Sequence, residues 1–225
     1  MIDFLKNKLI VSVQAMPDEP LYREDALFAM MQSVINGGAS ALRVAGARDV
    51  KNAKTLNIPV IGLTKPEGLP PNWKEIVYIT PTLKEVDELI NAGADIIAFD
   101  GTSRPRPNNC SLKEIIDRIH SAGRFAMADI ATFDEAKNCQ SLGVDIVSTT
   151  LSGYTQESLS DSDEPDFFLL EKIVNNIDIP TILEGRIWEP NQVKKAFEIG
   201  AHSVVIGSAI TRPQLITKRF MKEIL

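Results

Sequence analysis

A (β/α)8 TIM barrel, formed as a single domain over residues 1–225, is the α/β fold this sequence predicts, and three observations point to it. A short phrase recurs four times: a glycine, then alanine or valine, then a strand-like apolar run. It stands at Gly38-Ala39, Gly93-Ala94, Gly143-Val144 and Gly200-Ala201, at intervals of 55, 50 and 57 residues. Each interval is twice the roughly 25 residues that one strand-plus-helix unit takes in a barrel of about 200 to 250. Between the copies lie further apolar runs, so strand and helix alternate as they do around a parallel sheet. Nearly every predicted strand also ends on a polar or ionisable residue, and barrel enzymes build their sites at those ends.

The elements follow in order. Residues 9–13 form the first strand, and residues 41–44 the second after the first glycine phrase. The glycine suits a left-handed helix C-cap, and the run after it suits a strand buried on both faces. Residues 60–64 follow Ile58-Pro59 as the third strand; a proline is tolerated at a strand's entrance but not in its middle. A long loop from Lys65 to Pro81 comes next and takes in Val77-Tyr78-Ile79, a strand-like run that would otherwise make a ninth strand. Loops of this length in a compact fold are often functional. Thr82 with Glu85 fits a capping box, and Leu83, Val86, Leu89 and Ile90 share one helical face. Residues 95–99 are the fourth strand. Ser111 with Glu114 marks another helix start, with Leu112, Ile115, Ile116 and Ile119 as its apolar face. Residues 125–128, 145–147, 181–183 and 202–206 complete the set. Two irregular segments follow strand ends: 101–110, with Arg104 and Arg106, and the acidic, serine-rich 152–165.

Composition excludes several functions. The net charge is −6 and no long Lys/Arg run exists, so no nucleic-acid partner is expected. Cys110 and Cys139 show no CxxC spacing and read as reduced thiols. Asp3, Lys6 and Lys8 interrupt the apolar N-terminus, and no run reaches membrane-spanning length. A soluble, cytoplasmic protein with no membrane partner is expected. The chain has only two histidines. His120 lies on a helix and His202 opens strand eight, at the far end from a barrel site, so no metal centre is expected. No GxSxG elbow, Walker loop or dinucleotide fingerprint is present.

The strand ends carry the chemistry: Gln14, Arg43, Lys65, Asp100, Asp129, Thr149-Thr150, Glu184 and Gly207-Ser208. Two cations and three acids are thereby expected on one ring. Gly185, after strand seven, and Gly207-Ser208, before a short helix, let backbone N–H groups approach a phosphate. Arg212 supplies a bidentate grip on the same anion. A phosphorylated small molecule is the ligand this implies. Lys65 is the candidate base, provided that desolvation or a cation such as Arg43 lowers its pKa, and Glu184 is its natural proton partner.

In these positions the chain resembles the N-acetylmannosamine-6-phosphate 2-epimerases. The resemblance rests on Gly62-Leu63-Thr64-Lys65, Arg104-Pro105-Arg106-Pro107, the run Thr149-Thr150-Leu151-Ser152-Gly153-Tyr154-Thr155, Glu184-Gly185-Arg186, and Gly207-Ser208-Ala209-Ile210-Thr211-Arg212-Pro213. It implies interconversion of the 6-phosphates of N-acetylmannosamine and N-acetylglucosamine in amino-sugar and sialic acid catabolism, with no metal or organic cofactor. It assigns Lys65 and Glu184 as the catalytic pair, and Gln14, Arg43, Asp129 and Arg186 as substrate contacts. Gly185, Gly207, Ser208 and Arg212 become its phosphate site. Two departures stand out. Residues 66–71 replace an Arg-Asp-Tyr-like stretch usual after the lysine, so no contact of that loop carries over. Gly101 stands where alanine is usual, a difference expected to be minor.

The expected chemistry is removal of the proton at C2, beside the C1 carbonyl of the opened sugar, and its return on the other face. Arg43 or Gln14 would steady the enolate charge. The returning proton comes from Glu184 or again from Lys65; the sequence does not choose. Two other readings use the same barrel: a lyase or aldolase in which Lys65 forms a Schiff base, and a non-catalytic phosphosugar-binding protein. A homodimer is compatible with the sequence, which does not set the oligomeric state.

Overall fold

The structure, a computed structural model, describes residues 1–68 and 70–224; Leu69, within the divergent stretch after Lys65, and Leu225 lie outside the described residues. Eight parallel strands are hydrogen-bonded in chain order and close into a barrel. They are β1 (Lys8–Val13), β2 (Ala41–Ala45), β3 (Val60–Leu63), β4 (Ile96–Asp100), β5 (Phe125–Asp129), β6 (Ile146–Ser148), β7 (Thr181–Glu184) and β8 (Ser203–Ile206). A short α1 (Ile2–Leu5) precedes β1. The connections between strands carry α2 (Glu24–Asn36), α3 (Ala47–Lys54), α4 (Leu83–Ala92), α5 (Leu112–Ser121), α6 (Phe133–Ser141), α7 (Phe167–Asn176) and α8 (Pro190–Ile199). After β8 come α9 (Ser208–Thr211) and α10 (Pro213–Met221). No described helix is long and apolar enough to cross a membrane.

The recurring glycines sit where the chain must turn left-handed. Gly93 and Gly200 cap α4 and α8 at φ 93° and 113°, and Gly38 and Gly143 have φ 102° and 88°. That conformation is strained for any residue with a Cβ. The capping boxes Thr82–Glu85 and Ser111–Glu114 are both formed. The aspartates that follow two of the phrases clamp the preceding strand. Asp95 accepts the Val60 N–H at 2.9 Å and pairs with Lys54, and Asp145 accepts the Ala126 N–H at 2.7 Å.

Period-two alternation divides the strands. Residues such as Leu42, Val44, Ile97 and Val147 face the helices, in the apolar layer around the barrel. Ile10, Ala41, Ile61, Ile96, Met127, Ile146, Ile182 and Val205 face inward and fill the interior. Leu5 of α1 joins them from the N-terminal end. His202 holds α1 there, its ring nitrogen 2.9 Å from the Ile2 carbonyl.

Residues 77–79 form no strand, in line with the loop reading. The segment instead wedges between β3 and β4, whose register has only the pairs Ile61–Ile96 and Gly62–Ile97. Thr80 bridges the gap above them. Its N–H donates to the Thr64 carbonyl at 3.2 Å and its hydroxyl to the Ala98 carbonyl at 2.7 Å, while it accepts the Thr64 N–H at 3.0 Å. Thr80 is fully buried at φ 43°, a rare conformation for a β-branched residue, and these bonds hold it there.

Gly101 is less replaceable than the sequence comparison implies. A Cβ there would lie 2.7 Å from the Ala128 Cβ and 3.0 Å from the Cys139 sulfur, both buried. A methyl group would force the β4–β5 wall to shift.

Candidate active site

The inward parity runs on past the core and generates the site. Ser12 and Gln14 follow Ile10, Lys65 follows Ile61 and Leu63, Asp129 follows Met127, Ser148 follows Ile146, and Glu184 follows Ile182. Arg43 lies between Ala41 and Ala45 in the middle of β2 rather than at its end. The small neighbours leave room for its guanidinium inside the barrel.

Arg43 is 1% exposed and anchors the base of the site. It grips Asp129 bidentately at 2.9 and 2.6 Å and reaches Glu184 Oε2 at 2.7 Å. Burial disfavours its charge, but the two carboxylates outweigh this and raise its pKa further. Thr150 closes the arrangement from the other side. Its Oγ1 is 2.7 Å from Asp129 Oδ1 and 3.0 Å from Glu184 Oε2.

Above this cluster lies a cavity of about 490 Å³ lined by Gln14, Lys65, Thr150, Glu184, Arg186 and Arg212, among others. Lys65 is exposed, its side chain opening onto the cavity. Desolvation by the cavity walls, and then the Arg43 charge, hold its ammonium below the usual lysine value, while Glu184 and Asp129 pull the other way. Burial raises Glu184 above the usual carboxylate range, against the lowering effect of Arg43, the Thr150 hydrogen bond and Lys65. The two groups therefore shift towards one another in proton affinity, the direction that acid–base work by a lysine–glutamate pair requires.

Gly185, Gly207 and Ser208 line the same cavity. Gly185 has φ 105°, and Gly207 is the N-cap of α9, a side chain on it meeting Ser12 at 3.3 Å. First-turn N–H groups of a helix lack intrahelical partners and favour an anion. Arg212 is bonded to Glu19, whose other oxygen accepts the Met16 N–H at 2.8 Å. The predicted anion grip is thus held by a carboxylate from the β1–α2 loop. Arg186 donates to the Ser152 and Glu164 carbonyls, both at 2.7 Å, and so fastens the 152–165 segment to the cavity rim.

Of the expected ring of two cations and three acids, Lys65 and Glu184 line the cavity, Arg43 and Asp129 lie buried beneath it, and Asp100 leaves the ring. Asp100 is fully buried against Arg104 and Thr102, below the β4 loop and away from the cavity. Both histidines lie away from the site: His120 on α5 pairs with Asp145, and His202 is at the N-terminal end. Among the described residues, no group of three or more His, Cys, Asp or Glu is placed to hold a metal ion. Burial pushes the Cys139 thiol up to about 12, which makes it inert.

Ser148, Tyr78, Trp73 and Tyr154 were not among the predicted site residues. The three aromatics line the cavity, and Ser148 lies beneath it, 2.8 Å from Thr150 Oγ1. Ser148 was accessible from strand parity. Tyr78 and Trp73 belong to the irregular loop, where no periodicity points to a face.

Fold and site together define a β/α-barrel enzyme with acid–base groups at the C-terminal mouth beside an anion-type corner. The family model described as "Putative N-acetylmannosamine-6-phosphate epimerase" matches residues 27–225, and the chain belongs to that family. A Clostridioides difficile (strain 630) protein named "Putative N-acetylmannosamine-6-phosphate 2-epimerase" is 47% identical over 226 residues, covering 100% of this chain and 99% of its own. A Clostridium perfringens protein of the same name is 48% identical over 222 residues, covering 98% of each. The solved structure of the N-acetylmannosamine-6-phosphate 2-epimerase from Clostridium perfringens superposes with a TM-score of 0.93 at 47% identity, over 100% of this chain and 96% of that one.

Proposed function

We propose that this chain interconverts N-acetylmannosamine 6-phosphate and N-acetylglucosamine 6-phosphate by moving a proton on and off C2. The observation that carries the reading is that Lys65 and Glu184 line one cavity, with their proton affinities shifted towards one another. Family membership supplies the substrate class.

In the opened sugar, the C1 carbonyl acidifies the hydrogen at C2. Neutral Lys65 takes that proton, and the electron pair moves into an enolate with its charge on O1. Gln14 faces the cavity and donates to Ser12 at 2.8 Å, so its amide is oriented by the barrel and available to the developing oxyanion. Arg43, buried below, acts through Asp129 and Glu184 rather than on the sugar. Glu184 supplies the second titratable group, and a proton returned to the opposite face of C2 completes the epimer with no net redox change. The Gly185, Gly207-Ser208 and Arg212 corner takes the phosphate, and binding energy at C6 fixes C2 against Lys65.

Turnover in heavy water, followed by NMR, is expected to place deuterium at C2 of the product, and Lys65→Met is expected to lower kcat by about 10²–10⁴-fold. Product formed without the label, or a Lys65→Met enzyme of undiminished rate, would overturn the reading. A Glu184→Gln variant that exchanges the C2 hydrogen but does not epimerise assigns the returned proton to Glu184. One that does both assigns it to Lys65.

A further inference from the structure

The Asp129 Oδ1 and Glu184 Oε2 atoms share two neighbours. On one side is Arg43 Nη1, at 2.9 and 2.7 Å; on the other is Thr150 Oγ1, at 2.7 and 3.0 Å. The two sides differ chemically. The Arg43 nitrogen has two hydrogens and serves both carboxylates at once, whereas a hydroxyl has one and serves only one at a time. Ser148 Oγ stands behind it, 2.8 Å from Thr150 Oγ1 and 3.4 Å from Glu184 Oε2.

We propose that Thr150 is a positioning residue whose hydroxyl turns between Asp129 and Glu184 and so governs how readily Glu184 gains and loses its proton; this rests on the proton-transfer reading above. With Glu184 ionised, the Thr150 hydroxyl donates to Glu184 Oε2. With Glu184 protonated, its O–H donates to Thr150 Oγ1, and Thr150 donates in turn to Asp129 Oδ1. No heavy atom moves and no covalent bond to Thr150 forms or breaks; a single hydroxyl rotation absorbs the change. Asp129, held bidentately by Arg43, keeps its place throughout. A fixed donor would favour one state of Glu184 and slow the return to the other.

The geometry fits the electrostatics. The Thr150 hydrogen bond is among the influences that lower the Glu184 pKa against the effect of burial. Its loss is expected to make Glu184 hold its proton to higher pH.

The test compares the wild-type chain with Thr150→Val, which keeps the shape and removes the hydroxyl, and Thr150→Ser, which keeps the hydroxyl. Rates on N-acetylmannosamine 6-phosphate are measured against pH, with melting temperatures for each protein. Thr150→Val is expected to lower kcat by about tenfold or more, the scale of a lost hydrogen bond to a charged group. KM is expected to change little, because the phosphate corner is untouched. The acid limb of the profile is expected to move to higher pH, and Thr150→Ser to restore both rate and limb. Thr150→Ala, a second hydroxyl-free variant, is expected to shift the limb in the same direction and serves should valine not be accommodated. An acid limb that stays in place in the hydroxyl-free variants, or a Thr150→Ser enzyme no better than they are, would overturn the proposal. A wild-type chain that does not epimerise the sugar would instead overturn the parent reading, and is seen before any variant is made.

Discussion

A guanidinium as deeply buried as that of Arg43 keeps its charge because two carboxylates meet it, and their own burial sets the chemistry of the site. Desolvation by the cavity walls, and then the like charge of Arg43, make Lys65 give up its proton more easily. Glu184 experiences low polarity and the nearby Asp129, and keeps its proton longer. The consequence is a bell-shaped dependence of kcat/KM on pH with both limbs drawn inward. The sign follows from the two shifts. Activity rises as the pair loses its first proton, at a pH above the 4.5 of an ordinary glutamate, and falls as the second leaves, below the 10.5 of an ordinary lysine. The two apparent values belong to the pair rather than to either residue. A pH–rate profile checks this; limbs at the ordinary values would mean that burial does not tune the pair.

At the scale of the strand and helix, Asp145 shows how a loop residue can hold a barrel strand in place. Its carboxylate accepts the Ala126 N–H at the entrance of β5 and meets His120 of α5 at 2.8 Å. Asp145→Ala strands the Ala126 N–H and is expected to cost about 1–3 kcal/mol. Asp145→Asn keeps a carbonyl acceptor and is expected to cost less; urea unfolding of the two variants measures the difference. Such elements were legible because their signals are local. Gly93 and Gly200 turn left-handed where a helix ends, and Thr82 and Ser111 cap where one begins. The candidate site residues that follow strand parity, Gln14, Lys65, Asp129 and Glu184, were legible for the same reason. Asp100 obeys that parity too, yet Arg104 draws it away, and no spacing rule anticipates a partner supplied by an irregular loop. Thr80 was opaque because its role depends on where β3 and β4 part, and the partner of Arg212 because Glu19 comes from the other end of the chain.

For the whole molecule, the barrel divides its labour between two ends. The N-terminal end is sealed: Leu5 is fully buried among the inward residues, and His202 and Asn7 tie α1 to the start of β8, the Asn7 N–H donating to the His202 carbonyl at 2.7 Å. The C-terminal end carries every residue placed in the chemistry, where conformational freedom of the long loops is useful. Between them lie the packed layers of Ile10, Ile61, Ile96, Met127, Ile146 and Ile182, which resist deformation because they are close-packed. Damage at the sealed end should therefore appear as lost stability and not as lost catalysis. Leu5→Ala is expected to cost about 2–5 kcal/mol, the range for deleting a buried leucine side chain. At a temperature where the variant remains folded, its kcat and KM are expected to match the wild type. Thermal unfolding and steady-state kinetics on the same preparation check both halves. A fall in kcat in step with the fall in stability would mean that the interior transmits strain from one mouth to the other, and the division of labour would not hold.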